Sequence, residues 1–260
     1  MRPMTGSDAM DAEFGTVAEW TAEVVESLGP RYRIPAACRG SGRPSALDWL
    51  LDGLAPDPGD LMIDIGAGLG GPSAYAAKRT GVRPVLAEPE PDACRAAARL
   101  FGAPVVQADA TALPFADGAV SHAWCLGVLC TVGGPAAQRA MLGELRRVLK
   151  PGGRAGLLVY LATTDRLDDP PAGNHFPSRA QLTALIGSAG LTETAAADEA
   201  SLEPPPASWR ERTEAVDDEL RRRFAGAPAL ATAREQSRRI GALLKSGELV
   251  CQVVLLSRPA

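Results

Sequence analysis

Ile63-Asp64-Ile65-Gly66-Ala67-Gly68-Leu69-Gly70-Gly71-Pro72-Ser73 is the stretch on which the fold turns. It closes the apolar run LMIDI (61–65) and leads into a helical pattern from Ser73 to about Lys78, so it reads as a buried strand turning into a helix. Glycines at such a turn let the backbone take positive φ and let a ligand come close to the main chain. Pro72 suits the first helical turn, where its missing N–H costs little. Gly66, Gly68 and Gly71 also satisfy G-x-G-x-x-G, the dinucleotide fingerprint, so the surroundings must decide which ligand is meant.

Outward from this turn, short apolar runs alternate with helical patterns. RPVLAE (83–88) reads as a second strand, Pro91 to Leu100 as an Ala-rich helix, APVVQAD (103–109) as a third strand and AVSHAWCL (119–126) as a fourth. Residues 136–149 form an amphipathic helix with Met141, Leu142, Leu145, Val148 and Leu149 on one stripe. Lys150-Pro151-Gly152-Gly153 stops it, and RAGLLVY (154–160) follows as a fifth strand. A helix over 177–190, a strand over 191–198 and a closing strand over 248–257 complete the set. The expected fold is α/β, a doubly wound, mostly parallel seven-stranded sheet with its ligand outside the carboxyl ends of the strands.

Two additions frame this sheet. Residues 1–59 read as a helical N-terminal cap with helices at 17–28 and 46–54, and residues 60–260 as the α/β domain. Between the cap helices, YRIPAACRGSGRP (32–44) is either a surface loop or a segment folded over the ligand mouth. A helical insertion over about 204–247 precedes the last strand: Pro204-Pro205-Pro206 stiffens its entry, a charged helix runs from Ser208 to about Phe224, and a second helix runs from about Ala229 to Lys245. Asp217–Arg221, Asp218–Arg222 and Glu219–Arg223 are acid-first i,i+4 pairs, which makes Arg221-Arg222-Arg223 part of a self-paired, solvated face rather than a nucleic-acid patch.

Composition narrows the partners. The 260 residues are 46% hydrophobic and 22% charged, with a formal net charge of -4, which argues against nucleic acid. No apolar run approaches the ~18 residues of a membrane span. MRPMTGSDAMDAEFGTVAEW at the N-terminus carries acids where a signal peptide needs an apolar core, so the expected location is cytoplasmic. Five scattered cysteines read as reduced thiols, and Cys125 and Cys130 lack the second pair that a metal site needs, so no metal is expected. The expected partner is a small-molecule substrate, the chain acting as a monomer or homodimer.

Three carboxylates then separate the possible cofactors. Asp64 stands at the first strand's mouth, where it opposes a pyrophosphate but suits the amino group of a methionine moiety. Glu88 ends the second strand, where two oxygens can accept from ribose hydroxyls, a feature that serves NAD equally well. Asp109 ends the expected third strand, within reach of an adenine amine. All three together, after the glycine turn, point to S-adenosylmethionine (SAM).

These residues make the sequence similar to class I SAM-dependent methyltransferases, particularly small-molecule members of the ubiquinone- and menaquinone-biosynthesis type. IDIGAGLGGPS (63–73) resembles the family's first motif and VLAEPEPDA (85–93) its acidic second strand. DATALPFADGAVSHAWCLGVL (109–129) resembles the "D-a-x-x-L-P-F-x-D-x-x-F-D" region, and LRRVLKPGGRAGLLVY (145–160) the late helix-turn-strand. The resemblance runs over roughly 60–190 and hardly touches 1–59. It implies a Rossmann-like methyltransferase fold. It also implies that Asp64, Gly66, Ala67, Gly68 and Gly70 hold the methionine and ribose end, that Glu88 holds the ribose, and that Pro89 or Glu90 borders the adenine. Asp109 and Ala110 would edge the adenine, and Cys125 and Leu126 would lie beneath the cofactor. Two departures stand out: Ser121 replaces the usual acid of the fourth motif, and Cys130-Thr131 replaces the Glu-His or His-His pair of some relatives, which argues against cyclopropane-forming chemistry.

Methyl transfer to a neutral amine or an acidic phenol needs positioning more than a strong base. Where a base is required, His175 and then Asp165 are the candidates, both in the segment after the fifth strand, whereas His122 lies within a strand and reads as core. Tyr32, Arg39 and Cys130 are candidate substrate contacts, with Arg33 and Arg43 as further anion binders. The expected function is SAM-dependent N-, O- or C-methylation of a metabolite. The alternatives are a SAM-fold enzyme catalysing a non-methylating cyclisation or rearrangement and a nicotinamide-dependent oxidoreductase.

Overall fold

The computed structural model describes residues 11–260, with side chains from Phe14 onward. The first ten residues of the expected cap, which are also half of the stretch read for a leader, lie outside the described residues. A π-helical turn (Asp11–Thr16) leads into α1 (Val17–Leu28), a 3-10 turn (Pro30–Tyr32), α2 (Arg33–Ala37) and α3 (Pro44–Leu54). The sheet then builds through β1 (Leu61–Ile65), α4 (Gly71–Thr80), β2 (Arg83–Glu88), α5 (Pro91–Phe101), β3 (Val105–Gln107) and β4 (Val120–Leu126). It continues with α6 (Pro135–Val148), β5 (Leu149–Ala162), α7 (Arg179–Ser188) and β6 (Thr192–Asp198). Finally come α8 (Ala207–Arg223), α9 (Pro228–Ser246) and β7 (Leu249–Ser257). Proline stands in the first turn of α3, α4, α5, α6 and α9, where it supplies helical φ at no cost in hydrogen bonds. α7 instead opens with a capping box between Ser178 and Gln181.

The seven strands lie in the order β3-β2-β1-β4-β5-β7-β6. β1 to β5 pair in parallel, and β7 slots between β5 and β6 antiparallel to both. Strand order reverses between β1 and β4, which places the ligand crevice above the carboxyl ends of those two strands. Side-chain alternation gives the sheet two apolar faces. Ile63, Ile65, Cys125, Leu157 and Val159 meet α6 and α7 on one side. Met62, Trp124, Leu158, Val253 and Leu255 meet α3 and α4 on the other. α3 lies inside the expected cap, yet Leu47, Leu50, Leu51 and Leu54 belong to the sheet's own core.

Two strands depart from their expected limits. β3 ends at Gln107, so Asp109 stands two residues beyond it in a loop. β5 starts at Leu149, which pairs with Val120 ahead of a bulge, so the Lys150-Pro151-Gly152-Gly153 turn is folded into the strand's entry.

Above the crevice, α1, α2, α8 and α9 form a roof. Ala22, Val25, Ala36, Leu69, Leu100 and Leu220 share one cluster, and the rings of Trp20 and Phe224 stack with centroids 4.2 Å apart.

Candidate active site

The glycine turn is pinned to the neighbouring strand. Gly66 and Ala67 both donate their N–H to the carbonyl of Ala87, at 2.8 and 3.2 Å. Gly66, Gly68 and Gly70 have φ of 69°, 53° and 77°, conformations that a side chain resists. Glu88 closes the turn from β2: Oε2 accepts from Gly68 N at 2.7 Å and Oε1 from Glu90 N at 3.0 Å. Burial nonetheless raises its pKa to about 7, against the lowering effect of those two amides. Asp64 is equally buried, and its Oδ2 accepts from Ser73 Oγ at 2.6 Å. Desolvation lifts it to about 6, while Ser73 holds it down, as does the Trp124 indole N–H short of full hydrogen-bond geometry.

The loop that carries Asp109 is shaped from the far end of α6. Asp109 Oδ1 accepts from the N–H and hydroxyl of Thr111, at 2.7 and 2.6 Å. Glu144 accepts from Leu113 N at 2.7 Å, and Arg147 donates to the carbonyls of Leu113 and Phe115 and to Asp117. One Glu–Arg pair on a helix thus sets a loop that otherwise has no regular structure.

These elements border one cavity of about 790 Å³. Gly66, Ala67, Gly68, Glu88, Pro89 and Glu90 form part of its wall, as do Asp109, Ala110 and Leu126. The opposite wall comes from Phe14, Val17, Thr21, Arg39, Gln236 and Ile240, with Cys130, Thr131, Tyr160 and Asn174 at the side. The segment 32–44 reaches over the mouth rather than lying on the surface, for Pro35 to Cys38 are buried. Its backbone passes so close that two glycines of the sheet layer face it without side chains. A Cβ at Gly71 would stand 2.6 Å from Ala37 O, and one at Gly127 would stand 2.6 Å from Gly40 O.

Not every residue singled out in the sequence reaches this space. Asp64, Gly70 and Cys125 lie outside the wall: Asp64 sits beneath the turn on Ser73, Gly70 caps α4, and Cys125 faces Met141 in the core, sulfur to sulfur 3.9 Å. Tyr32 packs beside α1 with its hydroxyl accepting from Arg31 at 2.8 Å, so it makes no contact with the cavity. His175 and Asp165 are exposed and off the wall, whereas Asn174 of the same loop lines it. Arg33 and Arg43 are bound to the chain itself, at Leu100 O and at Glu199 and Leu202 O. Arg39 does line the cavity, 3.8 Å from Asp217 and 3.5 Å from Ser237 Oγ.

The sequence alone does not single out Asn174, Gln138, Gln236 or Arg147, which act through backbone carbonyls and, for Gln236, a backbone N–H of loops, and carry no spacing signal. Gly71 and Gly127 did carry one, as glycines facing a short segment rich in Gly and Ala, but only the fold shows what they admit.

The family described as a methyltransferase domain matches residues 63–157. No curated protein matches the chain. Among solved structures, the chain resembles the [4+2]-cyclase SpnF with a TM-score of 0.64 at 21% identity, over 82% of this chain and 80% of that one. It resembles geranyl diphosphate C-methyltransferase from Streptomyces coelicolor A3(2), crystallised with Mg2+, geranyl-S-thiolodiphosphate and S-adenosyl-L-homocysteine, with a TM-score of 0.58 at 16% identity, over 82% and 74% of the two chains. Haemonchus contortus phosphoethanolamine N-methyltransferase 2, in complex with SAM, gives 0.64 at 13% identity, over 87% of this chain and 57% of that one. Residues 63–157 thus match a methyltransferase-domain family, and the sheet order and glycine turn give the chain the Rossmann-like fold of these structures.

Proposed function

We propose that the protein transfers the methyl group of SAM to a small molecule held in the same cavity. The observation that carries this reading is the shared wall: Glu88, Asp109 and the Gly66–Gly68 backbone border the same space as Val17, Val132 and Ile240. In this reading Glu88 holds the ribose diol, Asp109 and Ala110 edge the adenine, and the Gly66–Gly68 backbone receives the methionine end. Asp64 supports that turn from beneath through Ser73. Bound SAM supplies an electrophilic methyl on a sulfonium. The chain's part is to align a nucleophile with it and to keep water out, and alignment of this kind is worth up to roughly 7–11 kcal/mol of barrier. Apolar walls help because charge disperses on the way to the transition state. With His175 and Asp165 facing solvent, the acceptor's proton passes to water or to a group of the substrate itself. Residues 14–41 and the helical pair at about 204–247 serve as the roof, and the enzyme works in the cytoplasm, with its five free cysteines reduced, as a monomer or homodimer.

Calorimetry tests this: the protein should bind SAM and its demethylated product S-adenosylhomocysteine (SAH) at micromolar Kd or tighter. No heat with either, together with a clear response to NAD, would replace this reading with an oxidoreductase. Turnover of a substrate without release of SAH would convert it to a non-methylating cyclase.

A further inference from the structure

Two amide side chains in the cavity wall are oriented by a single residue of the loop after β5. Gln236 on α9 is 4% exposed, and its Oε1 accepts from Ala172 N at 3.1 Å. A backbone N–H can face only an acceptor, so the oxygen of this amide is fixed toward the loop and its NH2 is left for the cavity. Nε2 has no partner among the described residues. Asn174 is turned the opposite way: Nδ2 makes a long contact of 3.4 Å to Ala172 O, and Oδ1 has no partner among the described residues. Both side chains line the cavity. One residue thus leaves a donor and an acceptor facing the same space.

The loop that does this is itself held. His175 N donates to Cys130 O at 2.7 Å. Gln138, buried on α6, donates Nε2 to His175 O at 2.7 Å and to Leu129 O at 3.0 Å. Asp169 pairs with Arg239 of α9 at 3.2 Å. The ordering of Asn174 and Gln236 is therefore complete before a ligand arrives, the condition under which polar groups discriminate well.

We propose that Gln236 and Asn174 are the specificity pair for the substrate, and that the group they read is a neutral carboxamide or lactam. Its C=O accepts from the Gln236 NH2 and its N–H donates to Asn174 Oδ1. A carboxylate offers acceptors only and sets a lone pair against Asn174 Oδ1; an ammonium offers donors only and opposes the Gln236 NH2. Either mismatch leaves a buried polar group unpaired, which costs affinity at least roughly tenfold. The neighbouring walls, Ile240, Val17 and Val132, suit an apolar body on the same molecule. This inference rests on the reading of the cavity as a methyltransferase site.

The test uses the full chain loaded with SAH and three flat probes that share one bicyclic ring system, 2-quinolone, quinoline and quinoline-2-carboxylate, titrated by calorimetry. 2-Quinolone should bind, and the other two should bind at least roughly tenfold more weakly. Gln236→Glu keeps an acceptor for Ala172 N, so SAH affinity should hold. It should lose 2-quinolone about tenfold or more and gain protonated 2-aminoquinoline, which donates from both positions. Asn174→Leu should lose 2-quinolone with SAH unaffected. No binding of 2-quinolone, equal binding of quinoline, or an unchanged preference in Gln236→Glu overturns the pair while leaving the methyltransferase reading intact. Failure of SAH itself to bind overturns that reading, and the pair with it.

Discussion

The two walls of the cavity are built on different terms. The wall made by the strand ends carries its information locally: a glycine turn, an acid closing β2 and an acid just past β3, each within a few residues of the strand that places it. The roof is assembled from distant segments, residues 14–41 and 217–240, joined by sparse pairs such as Arg39–Asp217, and it meets the sheet layer through close backbone contacts at Gly71 and Gly127. A strand-end site is fixed by the same hydrogen bonds that make the sheet, whereas a helical roof is fixed by how closely one backbone can lie on another. The first tolerates change around it; the second depends on the absence of single atoms.

Gly127→Val should break the roof most severely. Its Cβ would meet Gly40 O, at a φ of 81° that a β-branched residue resists, so we expect a loss of about 3 kcal/mol or more by urea denaturation, together with loss of SAH binding. If SAH binding survives, the roof is not needed for the cofactor.

A pH titration of stability probes the support beneath the strand-end wall. Asp64 is raised from 3.8 to about 6, so the folded state keeps its proton longer than the unfolded chain does, and stability falls as pH rises from about 4 to about 6. That component, up to about 3 kcal/mol, should be absent in Asp64→Asn, whose side chain still accepts from Ser73. Arg147→Ala should cost about 2 kcal/mol and loosen the Asp109 loop, measured as faster amide exchange over 109–117.

Glu88 gives the effect most specific to the cofactor. Its folded pKa of about 7 lies above its ordinary value, and the ribose contact proposed for it calls for the charged form, so SAH affinity should fall about tenfold from pH 8 to pH 6. Glu88→Gln should flatten that profile, and Glu88→Ala should weaken binding about tenfold or more at every pH. His175→Ala sits at the bottom of the scale: its bonds to Cys130 and Gln138 are made by its backbone, so turnover and stability should change little. A large loss of turnover there would return the imidazole to the chemistry.

This division also explains what could be read from residues alone. The strands and the sheet-covering helices follow from apolar runs and prolines, and their limits move by only a few residues, as for Asp109 beyond β3, whereas the place of β7 between β5 and β6 depends on pairing that no run of residues displays. Glu88 and the glycines were legible because strand ends and turns have chemical signatures. Asp64 was legible as a strand-end acid but not as one that Ser73, nine residues on, holds beneath the turn. Tyr32 and His175 were singled out by residue type, and type does not say which way a short helix or loop turns its side chains. Gln236 and Asn174 matter through a carbonyl and an N–H of Ala172, groups that every residue owns.

The antiparallel β7 has a consequence for the roof. It follows α9 after a single short turn at Gly247 and lies between β5 and β6, hydrogen-bonded to both. Its nine residues therefore moor the end of α9, the helix that carries Gln236 and Ile240 into the cavity wall, to the interior of the sheet rather than to its edge.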